Sequence, residues 1–170
     1  EKREFSMNEA SKIAKIGYWE HNLLTNTVIW SEYVHHIFGS NPNNEIPSKE
    51  VVFNTFNKKS QSAFNEATLN LINKGISYDI ELKLINLKNE IVWIRSVAQP
   101  IYNKEKEIIG KRGVLQNITV VKKAQKELDL SRQKIKNSLK LLAKKEFSLT
   151  EASKTAKIGF FEDVIATETR

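Results

Sequence analysis

The amino-acid sequence predicts an α+β fold in which one antiparallel sheet of five strands carries short helices on one face. Alternating apolar and polar residues indicate a hairpin within residues 18–30 and a three-stranded meander within residues 78–119. Between them, residues 31–73 show the apolar spacing of several short helices. An N-terminal helix and a long C-terminal linker helix are predicted outside the sheet.

The chain begins with a predicted amphipathic helix, to which we assign residues 1–15. Its apolar stripe consists of Phe5, Ala10, Ile13 and Ala14. We expect Gly17 to end this helix, because glycine readily adopts the left-handed backbone at helix ends. Residues 18–22 and 28–30 then alternate as two strands around a short polar turn.

Three helices are predicted between the hairpin and the meander. Ser31 is a suitable N-cap for the first helix, which is expected to end at Gly39. Ser48 begins the second helix, and residues 60–73 form a longer third helix that ends at Gly75.

The predicted meander consists of strands at residues 78–84, 91–102 and 108–119. Asn89 can adopt the positive φ that a tight turn between the first two strands requires. Pro100 lacks an amide hydrogen, and we therefore expect an edge or a bulge near the end of the middle strand.

The start of the chain recurs near its end. Residues 4–27 align with residues 146–169, and 14 of the 24 aligned residues are identical. Such a recurrence predicts tandem copies of one structural unit, an arrangement typical of a modular relay. We therefore divide the chain into a domain at residues 16–119, a linker helix at residues 120–147 and the start of a second copy at residues 148–170.

The excess positive charge lies in the predicted linker helix. Residues 120–145 contain nine basic and two acidic residues, which accounts for the whole net charge of +7. A nucleic-acid-binding domain carries its excess charge on a folded surface, so this distribution argues against a nucleic-acid partner. We interpret the basic run as the solvated flank of a coiled coil, with contact to anionic lipid or an acidic partner as the alternative.

The linker helix also carries a heptad repeat. Apolar residues fall seven positions apart at Val121, Leu128, Ile135 and Leu142. We interpret them as the seam of a parallel two-helix coil, and we therefore predict a homodimer. The alternative is a helix that packs this stripe against its own domain.

Three passages resemble the PAS family of sensory domains. The family's first hairpin and the helix after it are similar to IGYWEHNLLTNTVIWSEYVHHIFG at residues 16–39. Its central strand pair resembles YDIELKLINLKNEIVWIRSVAQPIYN at residues 78–103, and its closing strand resembles GKRGVLQNIT at residues 110–119. The resemblance implies a PAS fold and a sensory or dimerisation module of a bacterial signalling protein. Sensor histidine kinases and diguanylate cyclases are the usual parent proteins.

The chain departs from the family pattern at three places, of which one is Lys88-Asn89 in place of the usual Asp-Gly turn. Asn117 stands where the closing strand usually has Asp, which keeps a hydrogen-bond acceptor but loses the charge. Residues 56–59 replace an acidic turn before the long helix, and we expect a longer or looser segment there. We expect Asn117 and Thr119 to couple the domain to the linker helix.

A pocket between the sheet and the helices is implied by the resemblance. Candidates for lining it, or simply for filling the core, are Trp30, Phe38, Phe53, Phe56, Phe64 and Trp93. The core role is favoured, because a domain of this size must bury aromatic residues. The identity of any ligand or cofactor stays open.

The residue types limit the possible cofactors. Because the sequence contains no Cys, a flavin photosensor that forms a thiol adduct is excluded, as is a thioester-linked chromophore, whereas noncovalent flavin stays open. Haem ligands could come from His21, His35 or His36, but the family's haem-binding members carry their ligand on the long helix. Haem and metal binding are therefore disfavoured, and these histidines are interpreted as solvent-facing or hydrogen-bonded.

No motif for catalysis is present, so we expect no enzyme within this sequence. No run of 18 apolar residues exists that could span a membrane, and the absence of Cys fits a cytoplasmic protein. The predicted function is that of a sensory PAS module, which passes a ligand-induced or partner-induced change to a downstream kinase or cyclase domain. The alternative is a structural adaptor that pairs subunits and holds no ligand.

Overall fold

The computed structural model describes the backbone of residues 13–168 and the side chains of residues 13–156. The strands are β1 (Ile16–Asn22), β2 (Thr27–Trp30), β3 (Tyr78–Ile85), β4 (Ile91–Tyr102) and β5 (Ile108–Asn117). The helices are α1 (Glu32–Phe38), α2 (Lys49–Thr55), α3 (Lys58–Lys74) and α4 (Thr119–Glu168). The predicted α+β class and the order of hairpin, helices and meander are confirmed.

The chain reaches the sheet through a turn at Lys15. The predicted helix at residues 1–15 falls mostly on residues 1–12, which lie outside the described residues. Lys15 takes the left-handed conformation with φ of 56°. The prediction that Gly17 ends the helix is wrong, because Gly17 lies in β1 against α1. A Cβ there would lie 2.6 Å from Val34 Cγ2 and 2.8 Å from the Val34 backbone nitrogen, so glycine is needed for this close approach.

The sheet has the order β2-β1-β5-β4-β3, and every neighbouring pair is antiparallel. The last strand, β5, therefore lies at the centre and joins the early hairpin to the meander. β5 ends at Asn117, so the predicted strand end at Thr119 is wrong, and Thr119 begins α4 instead. The register of β4 and β5 shifts between Ile101 and Tyr102, close to Pro100, so the pairing is irregular near the end of β4 as expected. The extra residue is Ile109 of β5, however, and not a residue of β4.

Turn and cap residues define the ends of the helices as predicted. Gly39 and Gly75 end α1 and α3 with φ of 74° and 67°, and Asn89 has φ of 61° in the turn between β3 and β4. Ser48 caps α2 by accepting a hydrogen bond from the Val51 amide at 3.3 Å. Ser31 precedes α1 as expected, although its hydroxyl accepts from the Tyr18 amide at 2.9 Å and does not cap the helix.

The start of α3 is well anchored, so the expected longer or looser segment at residues 56–59 is wrong. Asn57 replaces the missing acidic cap, because its Oδ1 accepts the Ser60 amide at 2.9 Å. Phe56 bridges Leu84 of β3 as an isolated backbone pair. The chain is therefore held to the sheet immediately before α3 begins.

The core lies between the inner face of the sheet and the helices α1 to α3. Register places Trp19, Gly113 and Ala98 side by side on this face. Its most deeply buried apolar side chains are Val34, Ile37, Leu71, Leu82, Leu84 and Ile94. These residues come from two helices and the meander, and Trp19 of β1 adds the hairpin, so one core joins these parts of the domain.

Backbone proximity divides the chain into two units, Glu1–Lys122 and Lys123–Arg170. The second unit consists of the continuation of α4, which runs to Glu168 and so past the predicted helix end at 147. The start of a second domain copy at residues 148–170 stays a prediction, since residues 148–168 are helical in this structure. Within residues 13–168, no helix is both long and apolar enough to cross a bilayer.

Candidate functional site

A cavity of about 660 Å³ lies between the inner face of the sheet and helices α1 to α3. Five of the six aromatic candidates from the sequence line it, namely Trp30, Phe38, Phe53, Phe56 and Phe64. Aliphatic side chains of Val52, Ile72 and Leu82 complete much of the wall. The cavity is therefore mainly apolar, as small-molecule sites usually are.

The aromatic rings form a continuous wall with two nearly parallel pairs. The ring centroids of Trp30 and Phe38 are 5.0 Å apart with an interplanar angle of 18°. Those of Phe56 and Phe64 are 5.4 Å apart with an angle of 30°. Phe38 meets Phe56 edge-on at 6.2 Å, so the two pairs are linked. These rings present broad apolar surfaces to a guest molecule.

Trp93 does not belong to the cavity, and its inclusion among the sequence candidates is wrong. It lies on β4 between the buried residues Val92 and Ile94, so alternation turns its side chain to the opposite face of the sheet. There its ring lies 5.5 Å from the Lys122 ammonium. The sequence shows a Trp in a strand but not which face of the sheet the helices cover.

Lys111 is the functional candidate that the sequence analysis missed. Its side chain lines the cavity and is only 8% exposed. Its Nζ lies 5.7 Å from the ring centroids of both Trp19 and Phe64, which is cation–π distance. Burial lowers the pKa of the Lys111 ammonium from 10.5 to about 8, and repulsion from Lys49 adds to the effect.

The alternation of residues along β5 is a sequence feature that indicates the inward position of Lys111. Lys111 lies four residues before Leu115 on β5, so the two side chains share the inner face. A lysine in phase with buried apolar residues is unusual, because burying an unpaired charge is costly. A count of charges by segment does not reveal this lysine, because such a count ignores the face of the strand on which each residue lies.

Other polar groups border the same cavity. Glu45 and Lys49 are exposed residues of its lining, and His21 lies on β1 directly opposite Lys111 in the strand register. Two hydroxyls of the lining, from Thr68 and Ser96, are buried. Lys111 is thus the buried cation of a cavity whose other charged residues are exposed.

Three hydroxyls lie close together at the cavity wall, two from the lining residues Thr68 and Ser96 and one from Tyr78. Burial raises the pKa of the Tyr78 phenol, and the nearby hydroxyls of Ser96 and Thr68 act in the opposite direction. None of the three groups makes a hydrogen bond of normal geometry within the described residues, and neither does the Trp19 indole N–H. Donors and acceptors for a polar guest are therefore present in this wall.

The histidines occupy separate places. His21 Nε2 lies 3.0 Å from Asn26 Oδ1, and His35 Nδ1 lies 2.9 Å from Ser40 Oγ. His35 is buried, and burial lowers its pKa, whereas His36 is exposed beside the ring of Tyr33. Of the three, only His21 lines the cavity. The described residues contain no group of three His, Cys, Asp or Glu placed to hold a metal.

The junction between β5 and α4 is attached to β4. Asn117 Oδ1 accepts the Thr119 amide at 3.0 Å, so the retained acceptor expected at this position is confirmed. Thr119 Oγ1 accepts the Trp93 amide at 2.9 Å, and the Trp93 carbonyl accepts the Ile118 amide at 2.9 Å. Both backbone groups of Trp93 thus bind the residues that begin α4.

Side chains reinforce this junction on the outer face of the sheet. Lys122, in the first turn of α4, forms an ion pair with Glu81 of β3. The same ammonium lies over the ring of Trp93. The first turn of α4 is therefore tied to two strands of the meander.

The heptad residues of α4 are exposed. The relative exposure is 65% for Val121, 47% for Leu128, 60% for Ile135 and 57% for Leu142. Leu130 and Leu141, which lie outside the heptad track, are similarly exposed at 51% and 57%. The helix therefore presents apolar side chains that a second helix could cover.

A family model described as the PAS fold matches residues 27–115, which is more than half of the chain. The protein therefore belongs to the PAS-fold family, and its five-stranded sheet and helices have that fold. No curated protein matches the sequence.

Solved structures agree with this assignment. A sensory box histidine kinase/response regulator from Burkholderia thailandensis E264 is 21% identical and has a TM-score of 0.62, and the match covers 77% of this chain and 98% of that one. The N-terminal domain of a diguanylate cyclase with a PAS/PAC sensor from Marinobacter aquaeolei is 15% identical with a TM-score of 0.55, covering 62% and 96%. A light-oxygen-voltage domain studied with a flavin analogue is 11% identical with a TM-score of 0.52, covering 75% and 96%. At these identities the likeness shows the fold.

Replacing Lys111 with Met should raise the free energy of unfolding at pH 7 by about 1–3 kcal/mol, because the buried cation is removed and most of its apolar stem is kept. The folded-state pKa lies below the ordinary value, so the folded protein binds fewer protons than the unfolded chain between about pH 8 and pH 10.5. Wild-type stability should therefore rise over this interval, and the advantage of the variant should shrink. Urea unfolding across this pH range measures both effects.

The matched control is Lys104→Met in the exposed turn between β4 and β5. This change removes one lysine charge without altering a buried site, so its effect on stability should stay near zero at every pH. Equal stability of the Lys111→Met variant and the wild type at pH 7 would contradict the proposed cost of burial.

Proposed function

We propose that this domain is a sensory module whose cavity binds a small molecule and whose occupancy is transmitted through the β4–α4 junction into α4. The observation that carries the proposal is the adjacency of Ile94 and Trp93 on β4. Ile94 belongs to the cavity wall, and the backbone of Trp93 holds the first residues of α4. A ligand that displaces the wall therefore acts directly on the start of the helix.

The cavity has a suitable size for a ligand. Its 660 Å³ falls within the range of about 300–1,000 Å³ that is usual for small-molecule sites. Its lining combines an aromatic wall with a few polar groups, which would fix the orientation of a guest. The aromatic residues thus serve both the core and the ligand site.

Signal coupling is assigned to Asn117 and Thr119. Their side chains form hydrogen bonds at the point where β5 ends and α4 begins, and Thr119 links this point to β4. A change in the position of β4 would strain or release these hydrogen bonds. The resulting rotation or displacement of α4 is the output of the domain.

We further propose that α4 pairs with the same helix of a second subunit. The exposed heptad residues support a parallel coiled coil, because the seam would bury them. The resemblance to domains of a histidine kinase and a diguanylate cyclase supports a downstream kinase or cyclase domain in the same parent protein. A cytoplasmic location is also proposed, with which the absence of Cys from the sequence is consistent.

The alternative function is that of a ligand-free adaptor that pairs subunits. It is supported by four of the aromatic lining residues, because Phe38 and Phe56 belong to the core and Trp30 and Phe64 pack against it. The two functions differ in one measurable property, which is the retention of a small molecule by the cavity.

Native mass spectrometry and absorbance of the purified protein test the sensory proposal. We expect a small molecule that is retained by the wild type and released on denaturation. Val52→Trp should abolish retention, because Val52 lines the cavity and an indole would fill part of it. Val51→Trp on the same helix is the control, since Val51 is 42% exposed and does not line the cavity. Equal masses for folded and denatured wild type, together with a colourless spectrum, would favour the adaptor.

Hydrogen exchange tests the coupling. Filling the cavity with Val52→Trp should change the protection of the Trp93 amide and of the first turn of α4. Thr119→Val should reduce this change by about half or more, because it removes the acceptor of the Trp93 amide. Thr119→Ser keeps the hydroxyl and should behave as the wild type. If Val52→Trp changes the protection by the same amount in the Thr119→Val variant, the coupling does not depend on the Thr119 hydroxyl.

The double variant Leu128→Lys/Ile135→Lys should convert a dimer to a monomer, because four lysines would face each other in the seam. Sedimentation equilibrium measures the mass. The control is Leu130→Lys/Leu141→Lys, which adds the same charge at exposed positions outside the heptad track and should stay dimeric. A monomeric wild type, or a double variant that remains dimeric, would contradict the coiled-coil proposal.

A further inference from the structure

The cavity contains a buried cation without a counterion. Among the described residues, Lys111 has no hydrogen bond or ion pair, and its ammonium lies 5.7 Å from the ring centroids of Trp19 and Phe64. Cation–π contacts offset only part of the cost of removing an ammonium from water. A lysine retained at such a position in a ligand-sized cavity therefore suggests a binding role.

The charged neighbours do not neutralise Lys111. Lys49 is a second cation of the lining and repels it. Glu45, the only carboxylate that the described part of the chain contributes to the lining, is exposed and forms no ion pair with Lys111. His21 is engaged with Asn26. The cavity thus presents a net positive charge towards its interior.

We propose that the ligand is a small organic monocarboxylate with a flat apolar body, and that its carboxylate binds the Lys111 ammonium. The inference rests on the proposed function, because it names the ligand class of that same cavity. A carboxylate carries one charge, which matches the single buried ammonium. Ser96 and Thr68 supply further hydroxyl donors in the same lining.

The apolar part of the ligand follows from the aromatic wall. The two nearly parallel ring pairs, Trp30 with Phe38 and Phe56 with Phe64, offer flat surfaces on which an aromatic or similarly planar body packs well. Phe64 belongs to one of these pairs and also lies under the Lys111 ammonium. One ring therefore borders both the charged end and the apolar part of the site.

A pH dependence accompanies this assignment. Carboxylate binding requires the protonated form of Lys111, and the pKa of that group in the ligand-free protein is about 8. Affinity should therefore fall as the pH rises above 8, while a bound carboxylate raises the pKa of Lys111. The other titratable residues in the described lining of this cavity are Lys49, Glu45 and His21.

The test compares acids with their uncharged amides. The probes are benzoate, naphthalene-2-carboxylate and biphenyl-4-carboxylate, each with its carboxamide, and binding is measured at pH 7 by tryptophan fluorescence and calorimetry. At least one carboxylate should bind about tenfold more tightly than its amide. Lys111→Met should remove this difference, because it lowers the affinity for the carboxylate and not for the amide. Lys104→Met should leave both affinities unchanged.

A second measurement needs no variant. The titration of Lys111 in the wild type, followed by NMR of ¹³C-labelled lysine, should shift to higher pH when the carboxylate is bound and should not shift with the amide. Equal affinities of acid and amide, or an acid whose affinity survives Lys111→Met, would overturn the anion assignment.

The two proposals fail in different ways. If the amides bind as well as the acids, or if the cavity retains an uncharged molecule, the domain is still a small-molecule sensor and only the ligand class is wrong. If 2-naphthyl phosphate binds more tightly than naphthalene-2-carboxylate, the assignment of a monocarboxylate ligand is likewise wrong. If none of the carboxylates binds, the proposed ligand class is also wrong. The sensory function is tested separately, by whether the wild type retains a small molecule that the Val52→Trp variant does not retain.

Discussion

The central position of β5 is the constraint on which the rest of the structure depends. Its backbone pairs with β1 on one side and with β4 on the other, so it joins the hairpin to the meander. The same strand carries Lys111 into the cavity and ends where α4 begins. Because successive side chains alternate between faces, a shift by one residue would turn Lys111 outward and bring Arg112 inside. The pairing of β5 therefore determines both the chemistry of the cavity and the position of its output helix.

The cavity combines two requirements that oppose each other. The aromatic wall favours the folded state because it removes large apolar surfaces from water, whereas the buried ammonium of Lys111 disfavours it. A domain optimised for stability alone would carry an apolar residue at this position of β5. The conflict is local, and such conflicts between packing and chemistry are commonly found at functional sites. It also explains why the same aromatic residues can be assigned to the core and to a ligand site without contradiction.

The repeated sequence shows how far local sequence determines structure. Residues 16–22 form β1, yet the corresponding residues 158–164 of the recurrence lie within α4. The first copy pairs with β2 and β5, whereas residues 158–164 pair with no strand among the described residues. Strand formation depends on partners distant in sequence, while helix formation can continue from the preceding turn. The same pattern can therefore be a strand in one place and part of a helix in another.

The sequence by itself determined the elements whose causes are local. The alternation of β3 and β4, the left-handed turns at Gly39 and Asn89 and the helical period after Val120 depend on neighbouring residues, and the predictions for them hold. Only the tertiary structure decided the order of the strands, the outward position of Trp93 and the burial of Lys111. It also showed that Gly17 accommodates α1 and that Asn57 caps α3. The physical reason is that alternation separates two faces of a strand, but the packing of distant helices decides which face becomes the interior.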